Sequence, residues 1–134
     1  MKNLSNAFIA VFFVLIAIGS GAEPDPEISA ETSTDVVVTA FKLYNDYQSN
    51  EIAADQSYKG KVIEVTGVIR DIGNDLMDEP YITLAGDEFI GDVQCFLNDK
   101  SDAINLSKGQ FVRVKGLCDG LFMNVLVQGA IILE

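Results

Sequence analysis

Cys95 and Cys118 are the chain's two thiols, and they stand in a sequence that has no histidine and 20 Asp and Glu. Without imidazole there is neither the commonest acid–base side chain nor a nitrogen ligand for zinc, and two thiolates fall short of a structural zinc site. The spacing matches no C-x-x-C motif. Two readings of the pair stand side by side: a disulfide formed in an oxidising compartment, or two separate buried thiols packing as small hydrophobes. The carboxylates gather in turns. Asp71, Asp75, Asp78 and Glu79 depart from the spacing of a Ca²⁺ loop, and Pro80 stiffens one end. They read as a solvated turn, as do Asp87, Glu88 and Asp92. No carboxylate pair lies in the apolar context that raises a pKa for catalysis. The expectation is therefore no catalytic residue, no metal, no cofactor and no enzyme.

Base is scarcer and more unevenly placed. Lys59, Lys61, Arg113 and Lys115 lie on or beside two β-rich segments, with Arg70 and Lys108 close in sequence. If those segments are neighbours, they form a local basic strip that, with exposed aromatics, would hold a single-stranded nucleic acid or another polyanion. The net charge of −11 opposes that approach. Nucleic acid is accordingly the alternative, and Phe96 and Phe111 are expected in the core.

The positioning elements follow from hydropathy. Residues 7–18 form an uncharged apolar run after Lys2, and Ser20 and Ala22 sit at the −3 and −1 positions of a cut before Glu23. Residues 1–22 read as an export signal, too short for a comfortable membrane span. If left uncut, the segment is the one expected route to a membrane. Its removal takes away only Lys2 and leaves a mature charge of −12. Residues 23–33 are acidic and Pro-containing, as a disordered linker would be. Residues 34–57 form a helical segment: Val37, Ala40, Phe41, Tyr44 and Tyr47 recur at helical spacing, and Ser33, Thr34 and Asp35 offer caps.

From residue 58 to 134 the period becomes 2. Strands are expected at 61–69, 81–84, 93–97, 110–117 and 123–133, with a bend at Gly67 and a hairpin turn at Asp119-Gly120. A short helix is expected between the third and fourth strands. The fold class is mainly β: a five-stranded OB-fold Greek-key barrel with an N-terminal amphipathic helix.

Several blocks then agree in order with one family. Residues 58–67 (YKGKVIEVTG), 93–96 (VQCF), 106–109 (LSKG), 114–118 (VKGLC) and 121–125 (LFMNV) resemble the bacterial exported OB-fold proteins of the tRNA-anticodon-like (tRNA_anti-like) family. The resemblance spans residues 40–133 and implies an OB barrel and an exported location, periplasmic or extracellular. It implies no activity on tRNA. Members often carry a further cysteine where this chain has Ala130, which would leave Cys118 without that partner. The expected function is a non-enzymatic binding or interaction module for an envelope protein or small ligand. Its candidate face is the usual one of the second and third strands, with Tyr81, Thr83, Gln94 and Phe89 as candidate ligand-binding residues.

Overall fold

The computed structural model describes residues 27–134, so the expected export signal and the start of the linker lie outside it. The first element is a strand, β1 (Val36–Thr39), followed by helices α1 (Ala40–Ser49) and α2 (Glu51–Tyr58). Strands β2 (Val62–Asn74), β3 (Pro80–Ala85) and β4 (Asp92–Leu97) come next. A 3₁₀ turn, Lys100–Ala103, leads to β5 (Phe111–Phe122) and β6 (Asn124–Ile132).

The three valines account for a difference from expectation. Their β-branched side chains restrict χ1 and favour extended backbone. Residues 36–39 accordingly pair in parallel with Ile63–Thr66 of β2 instead of starting a helix. The cap moves with them: Thr39 Oγ1 accepts from Lys42 N at 3.1 Å. The earlier candidates fasten to β2, Asp35 Oδ2 accepting from Val62 N and Thr34 donating to Glu64. Asn50 is extended, ends α1 and caps α2 through its side chain. Among the described residues no helix is long and apolar enough to cross a membrane.

Strands β2 to β6 close in the order β2-β3-β4-β6-β5, β5 pairing back onto β2, and β4 and β6 run parallel. This is a closed five-strand barrel with β1 added at the side. Inward positions alternate along each strand: Ile63 and Val65, Ile82 and Leu84, Val93 and Cys95, Val112 and Val114, Val125 and Val127. Leu43 and Tyr47 of α1 cover this core, with the helix touching β2, β3, β4 and β6. The same parity corrects two expectations. Phe111 points outward and is 66% exposed, and Phe96 lies half-buried on the outer face.

Two bends also moved. The register of β2 shifts between Ile69 and Asp71, so the bulge is at Arg70. Gly67 serves close packing instead, since a Cβ there would lie 3.0 Å from Ala40 Cβ. Asp119 and Gly120 stay within β5, the positive φ of Gly120 falling at a register shift between Cys118 and Gly120. The chain reverses at Met123, whose φ is 63°. The later part of the expected linker is packed: Ile28 is buried beside Gly129.

Candidate ligand-binding cleft

Strand register decides which outward side chains share a surface. Gly73, Tyr81 and Phe96 form one row across β2, β3 and β4, and Asp71, Thr83 and Gln94 form the next. Asp92 begins β4 beside Asn124 at the start of β6. Of these residues Asp71, Tyr81, Thr83, Asp92, Gln94 and Asn124 line an open cleft of about 480 Å³ together with Arg70 and Lys108. Three of the expected ligand residues, Tyr81, Thr83 and Gln94, therefore converge. The fourth, Phe89, stands 79% exposed on the β3–β4 loop that borders the cleft.

The cleft wall is set by the bulge. An extra residue in one strand re-aims its side chain, and Arg70 is directed at the loop of residues 86–91. Its guanidinium donates to the carbonyls of Asp87, Phe89 and Gly91 and lies 2.8 Å from Asp92 Oδ1. That oxygen is off the line of an N–H bond, so charge holds the pair. Asp87 Oδ1 accepts the N–H groups of Phe89, Ile90 and Gly91, and these bonds hold its carboxyl below the usual range. The Tyr44 ring fills the other side: a Cβ on Gly91 would lie 2.2 Å from it. The loop is thus rigid from both sides while Phe89 and Ile90 project into solvent.

Inside the cleft, charge cancels. Arg70 faces Asp92, and Lys108 Nζ lies 3.3 Å from Asp71. Burial pushes the Asp92 carboxyl up, with Arg70 opposing the rise. The Asn124 amide donates to Gln94 Oε1 at 3.3 Å. Thr83 is 5% exposed, and its hydroxyl faces the Asp92 carboxyl. Tyr81 and Phe96 meet edge to face, centroids 6.3 Å apart.

The basic strip is placed differently. Strands β2 and β5 are neighbours, as the strip requires. Lys115, however, is 4% exposed and donates to the carbonyls of Ala30 and Thr32. Arg113 sits between Glu64 and Glu134. Lys59 and Lys61 have no ion-pair partner among the described residues, and they lie at the α2–β2 junction.

Cys95 and Cys118 are free and buried. Both are in register with Val127, Cys95 from β4 and Cys118 from β5, so β6 runs between them. Two strand spacings amount to roughly 9–10 Å, beyond the Cα separation a disulfide spans. Burial pushes the Cys95 thiol up to about 12 and raises that of Cys118. Among the described residues no group of three His, Cys, Asp or Glu is placed to hold a metal.

Arg70, Asp92, Lys108 and Asn124 were absent from the sequence expectation for this face. The one local signal was the segment Gly86-Asp87-…-Gly91, where an Asp between glycines marks a side-chain-capped loop.

Residues 1–131 match the family model described as tRNA_anti-like. No curated protein matches the chain. Among solved structures, a crystal structure of a "putative nucleic acid-binding lipoprotein" from Klebsiella pneumoniae is similar at a TM-score of 0.62. The two are 18% identical, over 82% of this chain and 100% of that one. At that identity the likeness is one of fold.

Proposed function

The chain belongs to the tRNA_anti-like family, and on that premise we propose that it is an exported, non-enzymatic binding module whose ligand lies across β3 and β4. The observation that carries this reading is the convergence of Tyr81, Thr83 and Gln94 in one cleft beside a loop pinned by Arg70, Asp87 and Tyr44. A preorganised wall lowers the ordering cost of binding, and this is the face on which OB barrels hold their ligands. The two carboxylates in the cleft each face a cation, an arrangement suited to holding charge in place. Export is supported by the sequence of residues 1–22 and by the lipoprotein named among the structural neighbours.

That neighbour is also named for nucleic-acid binding, which gives the polyanion reading its support. Here Arg113 and Lys115 are committed to partners within the chain, which weighs against the strip of Lys59, Lys61, Arg113 and Lys115.

The test needs no knowledge of the ligand. Amide hydrogen exchange of the purified protein is followed with and without a bacterial envelope extract. Protection over residues 70–73, 81–85 and 92–96, lost in Tyr81→Ala, is the expected result. Unchanged exchange across these strands would overturn the module.

A further inference from the structure

The chemistry of the cleft narrows its ligand, on the premise that this face binds. We infer that it takes a neutral carbohydrate, a short run of pyranose rings, and not a nucleic acid.

Charge is the first argument. A groove that holds a phosphate backbone needs cations free to displace counterions. The cleft has two cations, Arg70 and Lys108, and two carboxylates, Asp92 and Asp71, set against them. Its sum is zero, and Arg70 is further fastened to three loop carbonyls. A phosphodiester entering here would have to break an ion pair and would then face a bared carboxylate. An uncharged ligand leaves both pairs intact.

The polar groups on offer suit hydroxyl-rich ligands. Sugar hydroxyls donate and accept at once, and they suit surfaces where amides and carboxylates alternate. Gln94 and Asn124 present a joined pair of amides, and Asp71 and Asp92 present acceptors. On the floor, the Thr83 hydroxyl is more than nine-tenths buried and faces the Asp92 carboxyl. A ligand hydroxyl joining this pair could accept from Thr83 and donate to the Asp92 carboxylate at once.

Shape is the third. Tyr81 and Phe96 lie half-buried in the row next to these groups and give an apolar ledge for the C–H face of a sugar ring. The volume of about 480 Å³ is within the small-molecule range, and the cleft is open to solvent.

Titration calorimetry with chitohexaose, cellohexaose and maltohexaose, beside a dodecamer of deoxythymidine, tests this. The expected result is heat from at least one hexasaccharide, with affinity changing less than about twofold between 50 and 200 mM salt. Tyr81→Ala and Thr83→Val should each weaken it by about tenfold or more. Thr83→Val replaces the hydroxyl with a methyl of similar size and keeps the β-branched shape, and circular dichroism checks that the fold is kept. Binding of the dodecamer alone, falling steeply with salt as phosphate contacts do, would overturn the carbohydrate. So would hexasaccharide binding indifferent to both substitutions, or no binding by any of the three. Envelope-induced protection of β3 and β4 would still uphold the module in each of those cases, so the two readings fail separately.

Discussion

Replacing Arg70 with alanine probes the one side chain that builds the cleft wall. In the folded chain it makes three hydrogen bonds to the carbonyls of the β3–β4 loop and neutralises Asp92, while remaining 28% exposed. Hydrogen bonds from a charged donor contribute about 1.5–3 kcal/mol each. The loop lies at the surface and its carbonyls would regain water, so the expected loss is about 3 kcal/mol in all. For a domain of this size that lowers Tm by roughly 12 °C or more. Arg70→Lys should recover little of it, because an ammonium lacks the fixed, wide fork of donors that lets the guanidinium reach the three carbonyls.

The same change predicts a pH dependence. Burial already raises the Asp92 carboxyl above its ordinary value of 3.8, and Arg70 is the largest influence opposing that rise. Without Arg70 the folded pKa moves further up. An acid that holds its proton more tightly when folded contributes stability in full below its unfolded value, and loses it as pH rises through the folded one. The deficit of Arg70→Ala should therefore be larger at pH 7.5 than at pH 4.5. Adding Asp92→Asn should flatten this difference and recover about 1 kcal/mol, the cost of an unpaired partly buried charge being removed. Urea unfolding followed by circular dichroism across that range measures all three variants. An Arg70→Ala protein within about 0.5 kcal/mol of the parent at pH 7.5, the range of an ordinary surface change, would refute the argument. An equal deficit at both pH values would refute its electrostatic half.

Two other predictions concern groups away from the cleft. Lys115→Met should free residues 27–34 from the barrel, costing about 2 kcal/mol for the charge-assisted bonds lost; cleavage after Glu31 by a Glu-specific protease should accelerate, and unchanged cleavage would refute the anchoring. Both thiols should stay unreactive toward a disulfide reagent in the native protein, and two should titrate in denaturant; a count of zero in denaturant would mean that the cysteines are bonded.

Much of the barrel was legible because strand parity is a local property. Val112 and Val114 alternate with Arg113 and Lys115 in the sequence, and in the barrel these valines are inside, as are Ile63 and Val65. The same parity turns Phe111 outward, against the core position that its hydrophobicity alone predicts. The helix start failed for a similar reason: helical spacing at Val37, Ala40 and Phe41 competed with the extended preference of Val36–Val38, and a partner in β2 decided it.

The sequence by itself determined the class of fold, the excess of acid, the absence of imidazole and the approximate starts of the five barrel strands. These depend on residue type and short-range period. Tertiary structure alone decided which charges are free. Arg113 and Lys115 looked available in the sequence and are held by Glu64, Glu134 and the carbonyls of Ala30 and Thr32. Arg70 looked incidental, and a one-residue bulge turned it into the wall of the cleft. Ion pairing and burial join residues tens of positions apart, across strands whose register is fixed only when the barrel closes. The cleft's neutrality therefore belongs to the fold and cannot be read from the chain's −11.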